Sequence, residues 1–512
     1  MKKTLFTLLA VCLILSSCFG EKTDGTNADT KNETAVDSSC FHADEDDNGK
    51  CDKCSGSVIA TLDFYAINDL HGKFADTSAN EGVDELTTYL KNCISADDHS
   101  VILSSGDMWQ GTSESNLTKG KLITDWMNEI GVSSMTLGNH EFDWGSEFIK
   151  ENKEIAEFPF LAINVFDRAT NKRADFCSPS VTVQKGNVTV GIIGAIGDCY
   201  SSISPDKTED VYFKTGSELT ELVKAESIKL RAEGADIIVY SLHDGYGRSK
   251  SGVSSVSGNE IASYYDISLS RDGYVDVVFE GHTHRSYVLK DPYDVYHLQD
   301  GGDNEGISHV EVKVNFANSN VKTDTAEFIS IDKYDSLQDD PIVSELLGKY
   351  EDDIAQGSLS IGNNKYKRSG DEMRRLVAEM YYKKGMEKWG SRYDVVLGGG
   401  FVSIRSPGYL AKGEITYSMV QTLFPFDNPL VLCTVKGSDL LKKFINTNNS
   451  NYFVYYKDGL ESSIDPNGIY YIVTDTYSSQ YAPNNLREVE MYSESIFARD
   501  LVADYIAAGG LS

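Results

Sequence analysis

The chain has 512 residues, enough for two to four domains, and its 40% hydrophobic and 24% charged content is that of an ordinary globular protein. It carries 47 Lys and Arg against 78 Asp and Glu, a net charge of −31 with no basic tract, which excludes general binding to nucleic acid or to an anionic membrane surface. With 43 glycines and 10 prolines, collagen-like and low-complexity classes are excluded as well.

The chain opens with an address. Lys2 and Lys3 precede an apolar stretch from Thr4 to Leu15 that is too short to span a bilayer, and Leu15-Ser16-Ser17-Cys18 follows. That ending resembles a bacterial lipobox. It implies a lipoprotein signal peptide over 1–17 and lipid on the Cys18 thiol; the alternative is a plain secretory signal with an incidental cysteine. No later apolar run reaches the ~20 residues of a membrane helix. The mature protein is therefore expected outside the cytoplasm, on the cell surface or the periplasmic face, with its N-terminal lipid as the sole membrane contact.

Residues 18–57 are rich in Asp, Glu, Lys, Thr, Ser and Asn, a tether composition. Within them Cys40, His42, Cys51 and Cys54 have spacings compatible with one tetrahedral structural zinc. Two competing readings are a disulfide between two of these cysteines and a disordered tether. Cys93, Cys177, Cys199 and Cys433 are scattered and read as buried thiols, with a Cys177–Cys199 bridge as the alternative.

From Val58 apolar runs alternate with amphipathic stretches, the pattern of layered α/β structure. Strands are expected at Val58 to Ile67, Val101 to Ser104, Met135 to Leu137, Val188 to Ile193, Asp236 to Leu242 and Val275 to Phe279. Helices are expected at Glu85 to Ile94, Leu122 to Ile130 and Glu218 to Ala232. Residues 336–359 read as a connecting helix. Beyond it, strands at Asp394 to Leu397, Leu430 to Val435 and Tyr470 to Thr474 alternate with helices at Asp371 to Lys384, Ser438 to Ile445 and Ile496 to Ala508. The organisation is thus a large α/β domain over 58–335, the connector, and a smaller α/β domain over 360–512.

Polar motifs follow the apolar strands of the first domain: Asn68-Asp69-Leu70-His71-Gly72, Ser105-Gly106-Asp107, Gly138-Asn139-His140-Glu141, His243-Asp244-Gly245 and Gly281-His282-Thr283-His284. Five of the nine histidines lie in these turns. The crevice beyond the carboxyl ends of strands is where open α/β sheets bind ligands. Two Asp, one Asn and four His there, with glycines that let the backbone approach, make a ligand set for two divalent metals.

Taken together, Asp69-x-His71, Gly106-Asp107, Gly138-Asn139-His140-Glu141, His243 and Gly281-His282-Thr283-His284 resemble the calcineurin-like metallophosphoesterase signature. The extension Phe142-Asp143-Trp144-Gly145, then Ala162-Ile163-Asn164-Val165, is similar to the bacterial 5′-nucleotidase family, with its UDP-sugar hydrolases and 2′,3′-cyclic phosphodiesterases. The resemblance covers about residues 60–512. It implies a β-sandwich flanked by helices for the first domain and a second domain that supplies nucleoside specificity.

The resemblance puts Asp69, His71 and His284 on one metal, Asn139, His243 and His282 on another, and Asp107 between them, the ions being zinc, manganese, cobalt or similar. Such a pair clamps phosphoryl oxygens and activates water for in-line displacement. His140 is implied to stabilise transition-state charge, with Asp143 orienting its ring. In the second domain Phe426 and Tyr477 match a base-stacking pair, with core aromatics as the alternative. Arg405 matches a substrate-contacting arginine, although Phe401-Val402-Ser403 interrupts the usual Gly-Gly-Ile-Arg run, and Arg368 is a further substrate-contact candidate. The expected function is a lipid-anchored dimetal phosphohydrolase acting on extracellular nucleotides. Alternatives are cyclic-nucleotide phosphodiester, UDP-sugar or pyrophosphate, or thiosulfate-ester hydrolysis on the same core, or a surface nucleotide-binding protein without catalysis.

Overall fold

The computed structural model describes residues 43–45, 49–76, 81–96, 98–447, 450, 452–480, 486–492 and 496–512. Cys18, Cys40 and His42 lie outside the described residues.

Two sheets stack in the first half of the chain. The first has, in spatial order, Asn320–Ser330, Gly306–Asn315, Ile59–Ile67, Ser100–Ser104, Val132–Thr136 and Phe160–Leu161. The second has Val253–Ser255, Ser286–Lys290, Tyr296–Asp300, Val277–Glu280, Ile237–His243, Val188–Ile196 and Ser180–Lys185. Strand alternation explains the layering. Leu62, Phe64 and Ala66 point into the space between the sheets with Val101, Leu103, Val190, Ile192, Val239, Val277 and Phe279. Their neighbours Tyr65 and Ile67 point outward onto Leu86, Leu90, Ile123 and Trp126 from the helices Asp84–Ala96 and Lys121–Glu129. On the far side, Ile193, Ile238 and Tyr240 pack under Val223 and Leu230 of the helix Ser217–Ala232. The result is helix, sheet, sheet, helix.

All six expected first-domain strands form, within a few residues of their expected ends. Sequence reading passes over the antiparallel strands that widen both sheets. Asn320–Ser330 is exposed or half-buried along its length except at Ile329, so no apolar run marks it.

The expected connecting helix is broken. Asp340 caps Pro341–Lys349, its Oδ1 accepting the Ile342 amide at 3.0 Å, and a separate turn Glu351–Ile354 follows. The break falls at Tyr350, whose ring is buried in the first core with Val343 and Leu346 and whose hydroxyl donates to Asp125 at 2.6 Å. This segment is packed onto the first domain and is not a free spacer.

In the second half, five strands run in the order Tyr452–Tyr456, Val395–Phe401, Ile469–Asp475, Leu430–Lys436 and Arg487–Met491. One face packs on the helices Gly370–Trp389 and Ala498–Ala507 through Met373, Val377, Tyr381, Val502 and Ile506. The other face buries Leu440 and Phe444 of Leu440–Ile445. That last segment is a π-helical turn, where sequence periodicity suggested an α-helix.

The two halves meet along a polar seam. Ser113 donates to Gln421 at 2.8 Å, and the Asp427 carboxylate takes Lys119 from the first half at 2.9 Å and Arg499 from its own half at 2.5 Å.

Gly398 sets the distance between the helix Gly370–Trp389 and the strand Val395–Phe401. A Cβ there would lie 2.1 Å from the Tyr382 amide nitrogen. Gly398→Ala should therefore cost about 1–3 kcal/mol by overpacking, read as a lower melting temperature in differential scanning calorimetry.

Candidate active site

The motif residues converge at the carboxyl ends of strands from both sheets. Asp69 follows Ile59–Ile67, Asp107 follows Ser100–Ser104 and Asn139 follows Val132–Thr136, all in the first sheet. His243 closes Ile237–His243, and His282 and His284 follow Val277–Glu280, in the second.

Asp69, His71, Asp107, His282 and His284 all have left-handed backbone, with φ of 49°, 51°, 55°, 70° and 49°. Side-chain-bearing residues adopt it at a cost, and such strain persists where surrounding bonds over-determine it. Here the Asp69 amide donates to Gly106 O at 2.9 Å, the His71 amide to Asp107 O at 3.1 Å, and the His282 amide to Asp69 Oδ2 at 2.8 Å. Gly111 and Gly138 permit close approach, since a Cβ would lie 2.0 Å from His71 O on the first and 2.3 Å from Asp107 Oδ1 on the second.

The polar atoms face one another in a way that protein groups alone do not satisfy. His71 Nε2 and His284 Nε2 are 3.0 Å apart, and Asp69 Oδ1 is 3.3 Å from the latter. His243 Nε2 lies 3.0 Å from Asp107 Oδ2 and 3.2 Å from Asn139 Oδ1. Apart from these imidazoles, the buried oxygens Asp69 Oδ1 and Asp107 Oδ2 have no hydrogen-bond partner. Second bonds fix the rings: His71 Nδ1 donates to Gln110 O at 2.8 Å and His243 Nδ1 to Ser105 O at 2.6 Å, leaving Nε2 of each aimed into the cluster. Ligand atoms of Asp69, His71 and His284 lie within 4.8 Å of one another, as do those of Asp69, Asp107 and His243. Orphaned carboxylate oxygens opposite oriented imidazoles are what divalent cations require, so these residues fit the expected metals.

Electrostatics agree. Burial, and then Arg405 and His284, hold His71 well below its usual pKa. Burial, and then His243, lower His282 to about 4. Burial alone would also lower His243, but the Asp107 and Asp69 carboxylates outweigh it and push it up to about 10. Burial would raise Asp107, yet His243, His140 and His71 pull it well below the carboxylate range.

His140 stands beside this cluster. Its Nδ1 meets Asp143 Oδ2 at 2.7 Å and its Nε2 meets Arg405 Nη2 at 2.6 Å. Since the guanidinium only donates, Nε2 accepts and Nδ1–H donates to Asp143. Arg405 comes from the second half, and its Cζ lies 5.5 Å from the Phe426 ring centroid. The inserted Phe401-Val402-Ser403 does not displace Arg405. All three residues wall a cavity of about 350 Å³ together with Asn139, His140, His282, Phe426 and Tyr477. Phe426 and Tyr477 thus share one cavity, whereas Arg368 is absent from its lining. The Arg368 Nε donates to Asn364 at 3.1 Å and its guanidinium lies over Tyr366, so its proposed substrate contact is not supported. Cys177 and Cys199 are separate thiols, not a bridge; Cys199 Sγ donates to His243 O at 2.8 Å.

Glu141 stands in the quoted motif, but sequence reading assigns it no role. Its buried carboxylate accepts the amides of Asp107, Met108, Trp109 and Gly138 at 2.9, 2.8, 3.3 and 2.7 Å, tying two ligand loops together. A charged residue inside an otherwise apolar-flanked motif is the signal that could have found it. Asp475 and Asn428, also in the cavity wall, carry no such signal.

Comparison with known proteins agrees with this geometry. Residues 62–286 match the calcineurin-like phosphoesterase family. The first domain is a calcineurin-like phosphoesterase. Protein UshA of Yersinia enterocolitica is 26% identical over 434 residues, which cover 75% of either chain. A 5′-nucleotidase of Vibrio cholerae is 30% identical over 238 residues, 45% of this chain and 41% of that protein. The crystal structure of a 5′-nucleotidase precursor from Thermus thermophilus superposes with a TM-score of 0.64 at 20% identity, covering 88% of this chain and 96% of that one, a likeness of fold across both halves. The resemblance to the 5′-nucleotidase family holds, and this phosphoesterase is a metal-dependent phosphoester hydrolase.

Because the His243 pKa of about 10 belongs to the metal-free protein, that ring holds a proton at neutral pH which a bound cation must expel. Metal uptake should release at least one proton, and affinity should rise by up to about tenfold per pH unit below that pKa. Isothermal titration in buffers of different ionisation enthalpy measures the release; none would contradict the arrangement.

Proposed function

We propose that the protein is a lipid-anchored, extracytoplasmic nucleotide phosphohydrolase of the 5′-nucleotidase type that uses two divalent ions. Asp69, His71 and His284 would hold one ion, Asn139, His243 and His282 the other, and Asp107 both. Two such ions supply Lewis acidity toward phosphoryl oxygens and lower the pKa of water. The single observation that carries the nucleotide reading is the shared cavity. Its wall joins Asn139, His140 and His282 of the phosphoesterase domain to Arg405, Phe426 and Tyr477 of the second half.

The chain's own groups divide the work. Phe426 and Tyr477 offer faces for a base, a contact tolerant of base identity. Arg405, held against His140, presents a fixed cation to an anionic phosphoryl group. His140, oriented by Asp143, would donate to charge that develops on that group in the transition state once Nε2 takes a proton and gives up its contact with Arg405. Burial of the cluster removes competing water and strengthens each of these interactions. For the anchor, the support is the sequence Leu15-Ser16-Ser17-Cys18. Among the described residues no helix is long and apolar enough to cross a membrane.

Asp107→Asn should weaken both metal sites and lower kcat by several orders of magnitude, whereas His140→Ala should retain metal by elemental analysis and lose ~10²–10³ in rate. Equal metal loss in both variants would contradict the division of roles.

Phosphate release from AMP, UMP, ATP, UDP-glucose, 2′,3′-cyclic AMP and bis-p-nitrophenyl phosphate tests the substrate class directly, with preference for nucleoside monophosphates expected. Stacking contributes ~1–3 kcal/mol per base, so Phe426→Ala should lower kcat/KM for AMP about ten- to a hundredfold while sparing bis-p-nitrophenyl phosphate. Parallel loss of both activities with a lowered melting temperature would make Phe426 a core aromatic instead.

A further inference from the structure

Two strands of the second sheet carry no motif residue, yet they hold two of the ligand loops. Ser286–Lys290 and Tyr296–Asp300 pair in antiparallel register with Tyr287 directly opposite Gln299. Val288 and Leu298 point between the sheets, so strand alternation turns Tyr287, His297 and Gln299 to the outer face. All three are at most 1% exposed. Buried polar groups need partners, and here most of the partners belong to the loops.

The Thr283 amide is shared between Gly281 O at 2.8 Å and Gln299 Oε1 at 3.1 Å. Gln299 Nε2 donates to Thr283 Oγ1 at 2.7 Å, and that hydroxyl donates in turn to Tyr246 O at 3.0 Å. The Tyr246 amide donates to Tyr287 Oη at 2.9 Å, and Tyr287 Oη donates to Glu280 Oε2 at 2.5 Å. The other Glu280 oxygen meets His297 Nδ1 at 2.8 Å. Thr283 stands between His282 and His284, and Tyr246 closes the loop His243-Asp244-Gly245-Tyr246. One chain of hydrogen bonds thus joins the loop with two expected ligands to the loop with a third. Gly245 makes room for the junction, since a Cβ on it would lie 2.7 Å from Tyr287 Oη, 2.8 Å from Gly281 O and 3.2 Å from Gln299 Nε2.

We propose that Gln299 and Thr283 are positioning residues of the metal centre, a clasp that sets the spacing of His243, His282 and His284 before any ion arrives. The proposal rests on the two-ion reading above. Groups behind the ligands orient a metal site, and losing one such partner costs about ten- to a hundredfold in metal affinity. The Thr283 hydroxyl is the pivot, since it accepts from Gln299 and donates to Tyr246. Valine has its shape and neither bond, whereas serine keeps both. Neither Gln299 nor Thr283 lines the cavity shared with the second half, so their effect on turnover must pass through the ions.

The test uses the full chain, stripped of metal and titrated with zinc in competition with a chromophoric chelator. Affinities are compared at a temperature where near-ultraviolet circular dichroism shows each metal-free variant fully folded, so that lower stability alone does not move them. The wild type should bind two equivalents. Thr283→Val and Gln299→Met should each raise the zinc dissociation constant about ten- to a hundredfold, while Thr283→Ser should stay within about threefold of the wild type. Turnover of bis-p-nitrophenyl phosphate by Thr283→Val should fall at limiting zinc and recover at saturating zinc with KM unchanged. Equal zinc affinity in the wild type and Thr283→Val, or the same loss in Thr283→Ser as in Thr283→Val, would overturn the clasp and leave the two-ion reading standing. A wild type that binds no zinc would overturn that reading and the clasp with it.

Discussion

Convergence of acceptor atoms is the constraint on which the first domain is built. Asp69 Oδ1, Asp107 Oδ2, Asn139 Oδ1 and the Nε2 atoms of His71, His243 and His284 lie at contact distance in a buried space, where unpaired polar atoms are costly. Five residues of this cluster are also held in left-handed backbone. Only part of either cost is relieved within the cluster itself, by the His71 amide on Asp107 O, the His282 amide on Asp69 Oδ2 and the His243–Asp107 pair. Both are offset by groups that never face the cleft. Glu141 gathers four amides of two loops, Gln110 O and Ser105 O fix two imidazoles, and Asn68, donating to Asp69 Oδ2 at 2.7 Å, fixes a carboxylate. The local strain is stored in the ligands, and the rigidity that stores it comes from the layer behind them.

The same arrangement explains why one histidine in the cluster differs from the rest. His140 has the Asp143 carboxylate at Nδ1 and the Arg405 guanidinium at Nε2. It is held in a single tautomer by one partner from each half of the chain. The contact also fixes where the second half sits, because Arg405, Phe426 and Asp427 are all within one short stretch of seam and cavity wall. The residues proposed for specificity and those proposed for catalysis are therefore positioned by one interface.

Much of this was legible in the sequence, and the physical reason is locality. Ile237–His243 is buried along its whole length and Ile59–Ile67 from Phe64 onward, so a polar motif directly after each stands out. What escaped is non-local. Gly306–Asn315 and Asn320–Ser330 gain their register from pairing with Ile59–Ile67 and with each other, not from a marked apolar run. The three residues inserted before Ile404 cast doubt on Arg405 because a loop's path depends on what it packs against. In the fold they line the cavity, and Arg405 arrives at His140. Arg368 is the converse case, since its neighbours Asn364 and Tyr366 engage its side chain and it is absent from the cavity wall. The broken connector followed from one long-range contact, Tyr350 to Asp125, that no periodicity records.

The division of the ligands between two sheets has a consequence for the protein's stability. Four of the cluster residues, Asp69, His71, Asp107 and Asn139, come from the ends of first-sheet strands and three, His243, His282 and His284, from the ends of second-sheet strands, while behind them the sheets meet mostly through apolar side chains such as Phe64, Val239 and Phe279, with Thr136 and Ser241 adding a hydrogen bond at 2.7 Å. Any ion that bridges the cluster joins the two sheets at their rims by bonds that the unfolded chain does not offer. By mass action the folded state then gains stability with the logarithm of free cation concentration. Ion availability becomes a variable of folding as well as of turnover, and scarcity would act on the abundance of the enzyme before substrate is ever met.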